Sequence, residues 1–140
     1  MGEIRIRYAE AADFEWLREK DRHIRADELA ASIEKRRVPV MLCEGNPIGW
    51  LRYNLFWDNT PFLNMLYFAE DFRGKGYGTR LVRFWERDMA AQGYERALTS
   101  TLSDERAQFF YRKNGYVDCG VLFLPGEAAE LLFRKELIAE

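Results

Sequence analysis

One short segment limits the fold more than any other: "EDFRGKGYGT", Glu70–Thr79, where Gly74, Gly76 and Gly78 alternate with larger residues between an apolar run and a helical pattern. Upstream, "NTPFLNMLYF" reads as a strand over roughly Phe62–Phe68. Downstream, Leu81, Trp85 and Met89 recur four apart with Val82 and Asp88 beside them, a mainly apolar helix face that Gln92-Gly93 ends. Glycine lacks a Cβ, tolerates positive φ and lets backbone N–H groups converge, so Gly76 and Gly78 are expected at positive φ. A loop of that kind opening a helix also faces anions with the positive end of the helix dipole. The segment is therefore either a tight strand-to-helix corner or an anion cradle. Two phosphate loops are disfavoured by spacing. A Walker A loop places Ser or Thr after Gly-Lys, but Lys75 is followed by Gly76. A dinucleotide fingerprint reads G-x-G-x-x-G with an acid after the next strand, whereas here the spacing is G-x-G-x-G and "RALTST" ends without one.

The remaining elements read from periodicity. "IRIRY" alternates as a first strand, and Phe14, Trp16 and Leu17 form one side of a helix. A second helix covers Ala26–Arg36, with Leu29 and Ile33 inward and Ala30 a further candidate for that face. "VPVMLCEGNPIGWLRYNLF" reads as a hairpin turning at Glu44-Gly45-Asn46-Pro47. After the strand "RALTST", the segment "SDERAQFFYRKNG" reads as a helix with Ser103 or Asp104 as N-cap, Gly115 as terminator and Ala107, Phe110 and Tyr111 on one side. Strands near Tyr116–Phe123 and Glu130–Leu137 flank Pro125-Gly126. The order β-α-α-β-β-β-α-β-α-β-β predicts an α/β (α+β) fold, a mixed sheet with helices packed on it. At 140 residues and 48% hydrophobic content, the chain reads as a single domain spanning 1–140.

Composition removes several functions. A formal charge of −2 gives no broad cationic field for nucleic acid or acidic membrane, and Lys35-Arg36-Arg37 reads as a solvated helix end complementing the dipole. Cys43 and Cys119 are too few and too far apart for a zinc site, and a lone histidine, His23, forms no multi-histidine metal centre. No run approaches the ~18 apolar residues of a membrane span, and the N-terminus lacks the order of a signal peptide, which predicts a soluble cytoplasmic protein.

The loop also contains R-x-x-G-x-G, as Arg73, Gly76 and Gly78. With it the chain resembles the GNAT superfamily of acyl-CoA-dependent N-acetyltransferases, whose pyrophosphate loop carries that pattern between fourth strand and third helix. "SDERAQFFYRKNGY" resembles the family's fourth-helix segment at Asp104, Ala107, Tyr111, Gly115 and Tyr116, and the element order agrees along essentially the whole chain. The resemblance implies about seven mostly antiparallel, twisted strands with helices on both faces. It implies acetyl-CoA as acyl donor, with backbone amides of Arg73, Gly74, Lys75, Gly76, Tyr77, Gly78 and Thr79 around its pyrophosphate. The pantetheine arm would pair with Leu66, Tyr67 and Phe68, and an N–H of Leu66 or Phe68 would polarise the thioester carbonyl. Arg73, Lys75 and Arg80 are candidates for meeting phosphate charge or for remaining solvated. Tyr111 stands at the general-acid position; with an ordinary phenol pKa of ~10 it stays protonated at neutral pH.

Two departures stand out. Asp104 replaces the family's Asn, so it either contacts CoA differently or caps the helix. The start of the fourth strand, Phe62-Leu63-Asn64, carries no carboxylate, so the general base is unassigned among water, Asp58 and Glu127. The acceptor wall is expected at the first two helices, the hairpin and the terminal loops. Candidates are Trp57 and Asp58, flanked by Phe56 and Phe62, for an amine's apolar part and charge, and His23, read otherwise as a helix-end residue. A small-molecule or peptide amine is the expected acceptor. The alternatives are a non-catalytic acyl-CoA sensor and a structural domain without CoA, and the sheet edge or the aromatic segment could support a homodimer.

Overall fold

In a computed structural model, which describes residues 2–138, the chain runs β1 (Ile4–Tyr8), α1 (Phe14–Lys20), α2 (Ala26–Glu34), β2 (Pro39–Cys43), β3 (Asn46–Phe56), β4 (Thr60–Phe68), α3 (Tyr77–Ala91), β5 (Arg96–Leu102), α4 (Ala107–Lys113), β6 (Val117–Leu122) and β7 (Glu130–Glu136). This is the order read from the sequence. The strands form one mixed seven-stranded sheet ordered β1-β2-β3-β4-β5-β7-β6. The pairs β1–β2, β2–β3, β5–β7 and β6–β7 are antiparallel, and β4–β5 is parallel. By their contacts the residues group into two compact units, and β4 passes from one to the other after Asn64.

The first unit holds residues up to Asn54 and Met65–Trp85. Alternation along its strands sends side chains to two faces. On one, Val40, Leu42 and Trp50 are buried with Leu17 of α1 and Leu29 and Ile33 of α2. On the other, the Tyr53 ring lies 5.7 Å from Trp85 and Tyr8 lies 5.9 Å from Phe84, both partners on α3. Helices thus cover both faces of these strands. Arg52 shares the Trp50 face and is buried. Its Nε donates to Asp21 Oδ2 at 2.7 Å and its Nη2 to Oδ1 at 3.4 Å, tying the end of α1 to β3.

Two local expectations change in this unit. The hairpin turns on Glu44 and Gly45, at φ 52° and 80°, so Asn46 and Pro47 already belong to β3. Positive φ at both central residues gives the twist a two-residue hairpin needs. Helix α2 stops at Glu34 rather than Arg36, because Arg36 turns to φ 58°. Its guanidinium then stacks 4.4 Å over the Tyr8 ring instead of completing the last turn.

The second unit comprises Leu55–Asn64 and the residues from Glu86 onward. Strands β5 and β7 pair over their full lengths, and Ala97, Met89 and Phe133 are buried in its core. Glu86, rather than Asp88, is the buried charge on α3. It accepts the Tyr116 hydroxyl at 2.8 Å and the Lys135 ammonium at 2.9 Å, and Lys135 also donates to the Asn114 carbonyl at 2.9 Å. Neither Ser103 nor Asp104 caps α4, which begins at Ala107 behind Arg106. Longer side chains take over the turn: Glu105 accepts the Leu102 N–H at 3.0 Å, and Gln108 donates to the Ser103 and Glu105 carbonyls at 2.8 and 2.9 Å. The later start also leaves Ala107 exposed rather than inward.

Candidate active site

The glycine segment is a corner anchored from behind. Arg73 Nε donates to the Phe68 carbonyl at 2.7 Å, and its guanidinium lies 5.5 Å over the Tyr67 ring. Its placement thus closes the loop against the strand that precedes it. Gly74 and Gly76 sit at φ 71° and 86°, and a Cβ on either would meet nothing within 4 Å. Space is open there, so backbone conformation rather than crowding selects glycine. Gly78 departs from expectation: it is the second residue of α3 and does not have positive φ. The Gly76 carbonyl accepts the Arg80 N–H at 3.2 Å, which starts the helix. The N–H groups of Gly76, Tyr77, Gly78 and Thr79 therefore have no partner within the helix and carry its positive dipole end. Lys75 and Arg80 are exposed, the Lys75 ammonium lying 5.9 Å over the Phe72 ring. Such a cradle fits an oxyanion with open solvent access.

The C-terminal half of β4 is held as a backbone rail by its side chains. Phe68 is buried, and Leu66 and Tyr67 are half-buried. The Tyr67 ring lies 4.5 Å from Trp50, which takes the edge of Trp16 at 5.3 Å on the same core face. Gly49 on β3 makes room for this. A Cβ there would lie 2.4 Å from Phe68 Cδ1 and 2.6 Å from the Tyr67 carbonyl oxygen. That requirement was invisible in the sequence, where Gly49 is one residue inside an apolar strand.

Tyr111, on α4, is 5% exposed. The rings of Phe110, Tyr116 and Phe133 surround it at 5.1, 5.6 and 6.5 Å. Burial pushes the phenol well above its ordinary value, with the neighbouring Thr99 side chain acting in the opposite direction. An unperturbed phenol is therefore corrected to one that holds its proton harder, since desolvation disfavours the phenolate. Thr99 is 1% exposed, and its Oγ1 donates to the Leu63 carbonyl at 2.9 Å across the β4–β5 pairing. Sequence reasoning missed Thr99. The available signal was alternation in "RALTST", which places Ala97, Thr99 and Thr101 on one buried face.

The acceptor candidates are placed as follows. Trp57 and Asp58 form the tip between β3 and β4, at φ 57° and 64°, and Trp57 is 74% exposed. The turn is thus shifted toward Trp57, because Thr60 and Pro61 already belong to β4. Phe56 lies 4.5 Å from Trp57 and 5.7 Å from Phe62, so the aromatics do cluster. This tip precedes β4, whereas the glycine loop follows it. His23 is exposed in the connection between α1 and α2 rather than at a helix end, and its N–H bonds Asp21 Oδ1 at 3.2 Å. Asp104 and Glu127 are exposed turn residues.

A model of the acetyltransferase (GNAT) family matches residues 3–116, which carry the loop, β4 and Tyr111. The chain belongs to this family. Among solved structures, Ard1 from Thermoplasma volcanium superposes with a TM-score of 0.81 at 16% identity, covering 96% of this chain and 98% of that one. The ribosomal-protein-S18-alanine N-acetyltransferase from Escherichia coli gives 0.79 at 11% identity, with 99% and 96% covered. The PaiA N-acetyltransferase from Thermoplasma acidophilum, in complex with coenzyme A, gives 0.69 at 17%, with 96% and 99% covered. These likenesses establish a shared GNAT fold. A search of curated protein sequences found no match.

Proposed function

We propose that this GNAT protein transfers an acetyl group from acetyl-CoA to the primary amine of a small molecule or peptide by direct attack. The observation that carries the reading is the start of α3, where two positive-φ glycines open on empty space and the first-turn N–H groups lack helical partners. That cradle fits a pyrophosphate, in a fold whose relative from Thermoplasma acidophilum was crystallised with coenzyme A. The backbone of Leu66–Phe68 presents main-chain groups to an amide-rich arm, and an N–H there stabilises charge developing on the thioester oxygen. Tyr111 supplies a proton to the departing thiolate. The amine, with an ordinary pKa of ~10.4, must reach the site deprotonated. Trp57, Asp58 and His23 remain the proposed acceptor-contacting residues, and the cytoplasm the proposed compartment.

A second reading, a non-catalytic acyl-CoA sensor, is favoured by one observation: Phe62-Leu63-Asn64 offers no carboxylate to take the amine's proton. Free-thiol release from acetyl-CoA, screened against polyamines, aminoglycosides, amino acids and short peptides, separates the two. Release stimulated by one amine class is expected. Tight CoA binding without release for any class would establish the sensor.

A further inference from the structure

The helices of the second unit pack on one face of its sheet. Residues paired directly across antiparallel strands share a face, so the registers of β5, β7 and β6 sort the side chains. Ala97, Thr99 and Phe133 fall on the helix-covered face and are buried. There the Phe133 ring lies 6.5 Å from Tyr111 of α4, and Lys135 reaches Glu86 of α3 at 2.9 Å. On the opposite face β7 presents Glu130, Leu132 and Arg134 two residues apart, an acid, an apolar residue and a base in one row. β5 flanks the row with Leu98 and Leu102, and β6 with Val117 and Leu122. None of them is buried, and Val117 and Leu122 are 52% and 49% exposed. The middle of this face is low, because β6 has Gly120 beside Leu132, and a Cβ there would stand 3.3 Å from Leu132 Cδ1. Arg134 keeps donors to spare, since Glu136 is already gripped by Arg96 at 2.7 and 3.0 Å and lies 3.6 Å from Arg134.

We propose that this face docks against the same face of a second copy of the chain, around a two-fold axis that crosses the strands at the level of Leu132. Such an axis turns one sheet end for end over the other. Glu130 then lies over Arg134 of the second copy, Arg134 lies over its Glu130, and Leu132 meets Leu132. On the flanks Leu98 faces Leu102 and Val117 faces Leu122. Each charge meets its opposite and each apolar side chain another apolar one, the self-complementarity that an isologous interface requires. Two sheets packed face to face lie about 10 Å apart, a gap that facing side chains fill by interdigitating. The charge order selects the occupant. A copy laid with its strands parallel would set Glu130 on Glu130 and Arg134 on Arg134, and a partner surface of one sign would repel one end of the row. The apolar flanks supply the burial that drives association. Homodimerisation thus uses the face of the sheet, not the β6 edge or the aromatic tip.

The experiment uses the full chain at tens of micromolar in sedimentation equilibrium, with circular dichroism confirming the fold of each variant. Wild type is expected at twice 16.6 kDa. Arg134→Glu puts acids at both ends of the row and Glu130→Arg puts bases at both, so each alone should weaken self-association by about tenfold or more. Mixed in equal amounts, these two variants should recover the dimer, because the acids of one face the bases of the other. The exchange Glu130→Arg with Arg134→Glu in a single chain should dimerise as the wild type does. Leu132→Lys, which sets two ammonium groups against each other at the axis, should be monomeric. A monomeric wild type would overturn the proposal. So would a dimer that Arg134→Glu and Leu132→Lys leave intact, since its interface then lies elsewhere, or two charge variants that stay apart on mixing.

Discussion

At the scale of single residues, the contrast between Tyr111 and an ordinary tyrosine is environmental. Its ring is a core residue of the second unit, so a packing role and a chemical role coexist in one side chain. Replacing it by Phe retains ring contacts with Phe110, Tyr116 and Phe133 and deletes only the hydroxyl. Tyr111→Phe is expected to bind CoA normally in calorimetry while kcat falls by roughly ten- to ten-thousand-fold. A selective loss of CoA affinity, with the turnover rate intact, would assign the residue to packing. Burial raises the phenol's pKa, so the alkaline loss of activity that its ionisation would cause belongs above the ordinary tyrosine range, not at ~10. The glycines separate in the same way. At φ 86°, Gly76→Val is strained by about 1–3 kcal/mol and should lose CoA binding at least tenfold with native-like circular dichroism. Gly78 lies inside α3, so Gly78→Ala should hold or raise the melting temperature. Equal loss of stability in both variants would show that the loop does not distinguish them.

Among elements, the entry to α1 shows how a charge stabilises a local turn. Asp13 accepts Arg7 at 2.7 and 3.2 Å and the Glu10 N–H at 2.8 Å, holding β1 to the 3-10 turn at Ala11–Asp13. The bond from Arg7, with help from the Glu10 N–H, holds the Asp13 carboxyl below its ordinary 3.8. A depressed folded-state pKa stabilises the fold above the unfolded value, and that contribution disappears as pH falls through the folded one. Urea unfolding of wild type and Asp13→Asn should therefore differ by a constant amount between pH 5 and 8, with the gap closing progressively below about pH 3.8. A gap that persists at pH 2 would mean the acid's charge is not what matters. Helix α4 illustrates the converse: its periodicity was readable, but its start was not. Capping depends on which side chain reaches the free groups first, and Glu105 and Gln108 reach them where Ser103 and Asp104 do not.

For the whole molecule, the buried Asp21–Arg52 pair is the test of how the first unit holds together. Its side chains are 0% and 7% exposed, and 31 residues separate them. Removing one partner strands the other charge away from water, so Asp21→Ala should cost about 3–5 kcal/mol in urea unfolding. A loss below about 1 kcal/mol would mean that Arg52 finds water or another acceptor. The sequence by itself determined the element order, the glycine corner and the family's two segments. Hydrophobic period, glycine position and short motifs are local, and each is complete within a few residues. Only the tertiary structure decided that Phe68 needs Gly49, that Thr99 bonds the Leu63 carbonyl, and that Glu86 is paired by Tyr116 and Lys135. Those partners are chosen by strand register and helix placement across dozens of residues. Burial, which sets how tightly Tyr111 keeps its proton, comes into being only when the distant segments close over it.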